Sequence, residues 1–149
     1  MTARLFKVDE RANDNVLTPR SVFEALGIRF DLDVAASLDG DFVPADRRFT
    51  VEDDGLGQSW SGRVWMNPPY SKPKPWVDRF IEHGNGISLL LFSRSKWQIE
   101  LWETADAIAL PRQLLGFHER GGGNLWPIHF AAFGEECVEA LSRLVHVRR

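Results

Sequence analysis

The chain has 149 residues, of which 44% are apolar and 26% charged, with a formal net charge of −3. That is enough for the core of one domain spanning 1–149, while the acidic balance argues against a generic nucleic-acid coat and leaves room only for local basic surfaces. Cys137 is the only cysteine, which excludes an intrachain disulfide, and no apolar run reaches membrane-span length. His83, His118, His129 and His146 lack metal-ligand spacing, so no metal site is expected. The first residues carry no secretory-leader pattern, and a cytoplasmic location is expected.

Residues 1–16 are polar and without period, a loosely ordered lead-in. Thr18-Pro19 then reads as a helix start, with Thr18 as N-cap, Val22, Phe23 and Leu26 on one apolar face, and Gly27 as the stop. Ile28 to Ala36 alternates apolar and charged residues before becoming small and apolar, which predicts a strand. Residues 37–61, rich in Asp and Gly, are expected to form a loop holding one short element.

Gly62-Arg63-Val64-Trp65-Met66 predicts a second strand, and it delivers Asn67-Pro68-Pro69-Tyr70. A carboxamide oxygen and the Pro68 carbonyl both accept hydrogen bonds from an NH2 group, and the prolines remove N–H donors that would compete. Tyr70 offers a flat face for a planar group, at the strand end where open α/β sheets bind ligands. The same four residues would also make an ordinary strand-ending turn.

Pro75 opens a predicted helix through His83, with Trp76, Val77, Phe80 and Ile81 inward and Gly84 as its stop. Ile87 to Phe92 is a nearly unbroken apolar run, as expected of a strand buried on both faces. Lys96 to Thr104 predicts a short amphipathic helix carrying Trp97, Ile99, Leu101 and Trp102. Ala107–Leu110 and Leu114–Phe117 read as strand pieces, Gly121-Gly122-Gly123 as a turn, Ile128–Phe133 as a strand and Glu135–Val145 as the closing helix. Early strand–helix alternation implies parallel strands, and the late pair across the glycine turn implies antiparallel ones. The expected fold class is α/β, with a mixed, mostly parallel sheet ending in a C-terminal antiparallel strand pair.

With these elements placed, the chain resembles S-adenosylmethionine-dependent DNA adenine-N6 methyltransferases, in particular the short phage-type group. The resemblance runs from about Thr18 to Gly134, through Thr18-Pro19, Phe30-Asp31-Leu32-Asp33-Val34-Ala35-Ala36-Ser37, Phe49 to Leu56, Trp65 to Ser71, and Ser93-Arg94-Ser95. It implies an abbreviated Rossmann-like methyltransferase fold, because only about thirty residues separate Asp33 from Asn67. It implies S-adenosyl-L-methionine as cofactor, with Asp33, Ala35 and Ala36 near the methionine part, Thr18 and Pro19 on the cofactor side, and Asp53 and Asp54 at the adenosine end. Asn67, Pro68, Pro69 and Tyr70 match the catalytic motif, which would hold the amine of a flipped-out adenine. Ala35-Ala36-Ser37 stands where most methyltransferases carry a glycine-rich turn.

DNA is the implied partner. Lys72 and Lys74 suit its backbone phosphates, or equally a solvated, proline-stiffened loop, and Arg94 suits the same surface or a structural ion pair. Arg79, Lys96, Arg143, Arg148 and Arg149 are further basic residues, and none of the six tryptophans is assigned to the site. Two rival readings remain: a protein-glutamine N-methyltransferase, whose amide NH2 suits the same acceptors, and a non-catalytic DNA- or protein-binding module on a reduced methyltransferase fold.

Overall fold

The computed structural model describes residues 18–110 and 128–144. In chain order these form α1 (Arg20–Leu26), β1 (Phe30–Asp33), β2 (Ala45–Arg48), a 3-10 turn (Gly55–Gly57), β3 (Val64–Met66), α2 (Lys74–His83), β4 (Gly86–Leu91), α3 (Lys96–Thr104), β5 (Ala107–Ala109), β6 (Ile128–Phe133) and α4 (Glu135–Leu144).

The six strands make one mixed sheet in the order β2-β1-β3-β4-β6-β5. β1, β2, β3 and β4 run parallel, and β6 is inserted antiparallel between β4 and β5. Side-chain alternation then divides the core between two faces. Trp65, Ile87, Leu89, Phe130 and Ala132 point to the side covered by α1 and α4, through Val22, Phe23, Leu26, Ala140 and Leu141. Leu32, Val64, Met66, Leu90, Ala131 and Phe133 point to the side covered by α2 and α3, through Val77, Phe80, Trp97 and Leu101. The fully apolar pattern of β3 follows from this double cover.

The two helices of the first face are also joined at their ends. Gly27, at φ 67°, closes α1 with its N–H on the Phe23 carbonyl, and the Arg143 guanidinium of α4 donates to the Leu26 carbonyl at 2.7 and 3.1 Å. Arg143 thus satisfies a helix-end acceptor.

Several expectations are corrected. Thr18 does not cap α1: Pro19 occupies that position without a side-chain cap bond, and the Thr18 hydroxyl is turned inward instead. The first strand is shorter than 28–36, ending at Asp33: Val34 N–H makes a last bond to the Trp65 carbonyl of β3, and Ala36 N–H then turns to the Phe49 carbonyl. Residues 37–61 hold two elements, β2 and the 3-10 turn. On α3, Trp97 and Leu101 are buried, but Ile99 and Trp102 lie on the open side and are more than half exposed. The expected strand piece 114–117, the glycine turn 121–123, the lead-in 1–16, Val145, Arg148 and Arg149 lie outside the described residues, as does His118.

Candidate functional site

β1 and β3 are neighbours in the sheet, so their carboxyl ends open side by side. After β1 the chain turns outward, and Ala36 N–H donates to the Phe49 carbonyl at 2.7 Å while Phe49 N–H donates to the Asp33 carbonyl at 2.8 Å. These bonds draw the segment after β2 back over the end of β1 and enclose a cavity of about 490 Å³.

Thr18, Asp33, Ala35, Ala36, Asp54, Asn67 and Pro69 all line this cavity, although they come from four separate stretches of chain. Asn67 Nδ2 donates to Thr18 Oγ1 at 3.2 Å across 49 residues of sequence. This bond turns the amide nitrogen toward Thr18 and makes Oδ1, an acceptor, the other end of the carboxamide.

Asp33 is 1% exposed, and its Oδ1 accepts the Ala35 N–H at 3.3 Å. Burial, reinforced by the neighbouring Asp41 carboxylate, pushes its pKa up to about 8, against the lowering effect of the Ala35 N–H and the Arg48 guanidinium. Asp41 lines the same cavity and is held by the Val43 N–H at 3.1 Å and Arg48 Nη1 at 3.0 Å. The cavity is lined by four aspartates, Asp33, Asp39, Asp41 and Asp54, with Leu38, Val51 and Trp76 supplying apolar wall.

Asp53 and Asp54 take different tasks. Asp53 is exposed and folds back on Thr50, accepting its N–H at 2.8 Å and its hydroxyl at 3.2 Å, a turn-closing arrangement. Asp54 lines the cavity and has a backbone φ of 56°, a left-handed conformation that Asp tolerates better than most residues. Gly55 follows with no room for a side chain, since a Cβ there would stand 2.2 Å from the Val34 carbonyl oxygen. Trp60 Nε1 donates to the Gly55 carbonyl at 2.9 Å, the Trp60 and Trp76 rings stack at 6.4 Å, and the Arg79 guanidinium lies 4.8 Å over Trp60. Arg79 also donates to the Leu56 and Gln58 carbonyls at 2.8 and 2.7 Å, so this basic residue holds the turn.

Tyr70 lies on another side of the same motif. With Lys72, Lys74, Phe92, Ser93, Ser95, Lys96 and Trp97 it lines a second cavity, of about 620 Å³, beyond the ends of β3 and β4. Burial pushes the Tyr70 phenol above its ordinary pKa, so it stays neutral. Lys74 pairs with Asp78 one helical turn on, at 2.6 Å. Lys72 and Lys96 form no ion pair with a described residue. Pro19 and Pro68 line neither cavity, and Arg94 is exposed beside the second without lining it.

Sequence reasoning missed Asp41, Thr50, Trp65 and Trp76 as cavity residues. Asp41 lies in an Asp-rich loop with nothing local to set it apart. Trp76 reads as a core position of α2 by period, and only the folded loop shows that its ring meets the cavity.

The structure is an α/β protein with a mixed sheet, an aspartate-lined cavity at its strand ends and a lysine-lined cavity on the other side of one turn, at the place where open α/β sheets bind ligands. The sequence model of a family described as DNA N-6-adenine-methyltransferase (Dam) matches residues 6–113, well over half of the chain. The chain belongs to that family. It is 37% identical over 83 residues to the DNA N-6-adenine-methyltransferase of Escherichia phage T1, covering 50% of this chain and 34% of the relative. It is 39% identical over 83 residues to the protein of the same name from Haemophilus phage HP1, covering 50% of this chain and 47% of the relative. The chain thus spans about half or less of the length of these curated relatives. No solved structure matches it significantly. No helix among the described residues is long and apolar enough to cross a membrane.

Proposed function

We propose that this chain transfers a methyl group from S-adenosylmethionine to N6 of adenine in DNA, as one domain with an abbreviated Rossmann-like fold. The observation that carries the reading is the position of Asn67-Pro68-Pro69-Tyr70, whose first and third residues line one cavity and whose fourth lines the other. A single turn thereby faces two compartments of different charge, as a transfer between a cationic donor and a polyanionic acceptor needs.

The residues present suit the cofactor. Asp33 and Asp41 match the ammonium of the methionine part, Asp54 and Thr50 offer hydrogen-bond partners for a ribose, and Leu38, Val51 and Trp76 suit an adenine ring. When bound, the cofactor supplies an electrophilic methyl on a positively charged sulfur. Everything else falls to the protein. The adenine amine is a weak nucleophile because its lone pair is delocalised into the ring. Asn67 Oδ1 and the Pro68 carbonyl act as acceptors for its two hydrogens and favour a pyramidal nitrogen. Thr18 keeps the carboxamide in that orientation through its bond to Nδ2. Tyr70, neutral and beside the second cavity, stacks on the extruded base, and such stacking contributes about 1–3 kcal/mol against an extrusion cost of a few kcal/mol. Positioning and electrostatics do the rest without a covalent enzyme intermediate. Lys72, Lys74 and Arg94 contact the DNA backbone.

Incubation with methyl-labelled S-adenosylmethionine and DNA from a methylation-deficient host, followed by nucleoside analysis, is expected to yield N6-methyladenine. Asn67→Ala should reduce transfer at least about a hundredfold while cofactor affinity changes little. Label in protein instead of DNA would favour the glutamine-directed reading, and absence of heat on cofactor titration would favour a binding module.

A further inference from the structure

Two buried polar side chains stand behind the second cavity and belong to neither site described above. His129 on β6 is fully buried, and its ring stacks on Phe92 with centroids 4.5 Å apart and planes 20° apart. Gln98, in the first turn of α3, is 8% exposed, and its Nε2 lies 3.1 Å from His129 Nε2. Since the carboxamide nitrogen is a donor, the ring nitrogen accepts, which requires the neutral tautomer protonated on Nδ1. Burial supports this by lowering the His129 pKa to about 4. The other end of the same carboxamide is also engaged, because Gln98 Oε1 accepts the Ser93 N–H at 3.2 Å. Ser93 Oγ in turn accepts the Ser95 N–H at 3.0 Å.

One side chain thus ties three parts of the fold together: the β6 strand, the start of α3, and the turn from Phe92 to Ser95. Phe92, Ser93 and Ser95 all face the second cavity. The network is satisfied at both ends of the Gln98 carboxamide but not throughout, since His129 Nδ1 is buried without a hydrogen-bond partner among the described residues, a cost that an apolar side chain at this position would not carry. A network that reaches from the far strand to a cavity-lining turn gives that turn one backbone position where a purely apolar contact would leave several.

We propose that Gln98 and His129 are positioning residues, which fix the Phe92–Ser95 turn and thereby set the shape of the cavity that receives the nucleic-acid substrate. This rests on the reading of the second cavity as the DNA side.

The test compares Gln98→Leu, Gln98→Glu and His129→Phe with the unaltered chain in three measurements. These are amide hydrogen exchange across Phe92–Ser95, cofactor affinity by calorimetric titration, and kcat and KM with DNA from a methylation-deficient host. Gln98→Leu loses both links and should speed exchange at Ser93, raise KM for DNA about tenfold, and leave cofactor affinity within about twofold. Gln98→Glu should recover most of the KM, because a carboxylate accepts both from Ser93 N–H and from a protonated ring Nε2. His129→Phe keeps a ring against Phe92 and removes only the Gln98 partner. It should raise KM about three- to fivefold, and it decides the matter if Gln98→Leu does not fold. The proposal is overturned if exchange at Ser93 is unchanged, if cofactor affinity falls in parallel with KM, or if Gln98→Glu is no better than Gln98→Leu. A chain that never methylates DNA sinks the proposed function instead, and the exchange data then still decide whether the pair positions the turn.

Discussion

Asp33 shows how little a residue's name says about its charge. Its carboxyl is raised from 3.8 to about 8 by burial and by Asp41, so at pH 7 it is mostly protonated. An acid whose folded pKa exceeds its unfolded value binds its proton more tightly in the native state. Its contribution to stability is therefore present below about pH 4 and is lost as the pH rises through about 8. Melting temperature should fall over that interval, and Asp33→Asn should flatten the profile. Binding a cation beside this acid lowers its pKa and expels a proton. At pH 7, calorimetric heats of S-adenosylmethionine binding should vary with the ionisation enthalpy of the buffer, and Asp33→Asn should abolish the variation. Equal heats in all buffers would mean that no cationic group sits against Asp33.

At the level of elements, the cavity depends on a loop with very little regular structure. The 3-10 turn at Gly55–Gly57 lies against the end of β1, tied down by Trp60 and by the Arg79 guanidinium. Gly55→Ala would set a methyl carbon 2.2 Å from the Val34 carbonyl oxygen, a clash only backbone movement can relieve. Such overpacking costs about 1–3 kcal/mol, so the variant should melt at a lower temperature and bind cofactor more weakly. An unchanged melting temperature and affinity would show that the loop is not pinned at this point. Arg79 carries the complementary lesson. By sequence it belongs with Lys72 and Lys74 as a cation following the motif, yet its guanidinium is committed to two backbone carbonyls and an indole face.

Over the whole molecule, charge is separated across the Asn67–Tyr70 turn. Carboxyls gather in the first cavity and lysines around the second, although the net charge is only −3. If Lys72 and Lys74 meet phosphates, replacing both by Ala should lower the slope of log affinity for duplex DNA against log salt by about 2, near 0.9 for each phosphate no longer neutralised. An unaltered slope would leave the two lysines as solvated charges.

The order and type of most elements were legible in the sequence, because apolar period and glycine stops act over a few residues. Leu32, Val64 and Leu90 announce buried strands, and Gly27 and Gly84 end helices where expected. That Asn67-Pro68-Pro69-Tyr70 follows a strand end was legible for the same reason, since its prolines and the apolar run before it are local properties. Only tertiary structure decided which loop residues meet it. Thr18 reaches Asn67 across 49 residues, Asp41 outranks Asp53 as a cavity acid, and Gln98 finds His129 across 31. Such pairings depend on strand order and on where a loop returns, and a polar residue in a loop carries no periodic mark of the partner it will meet.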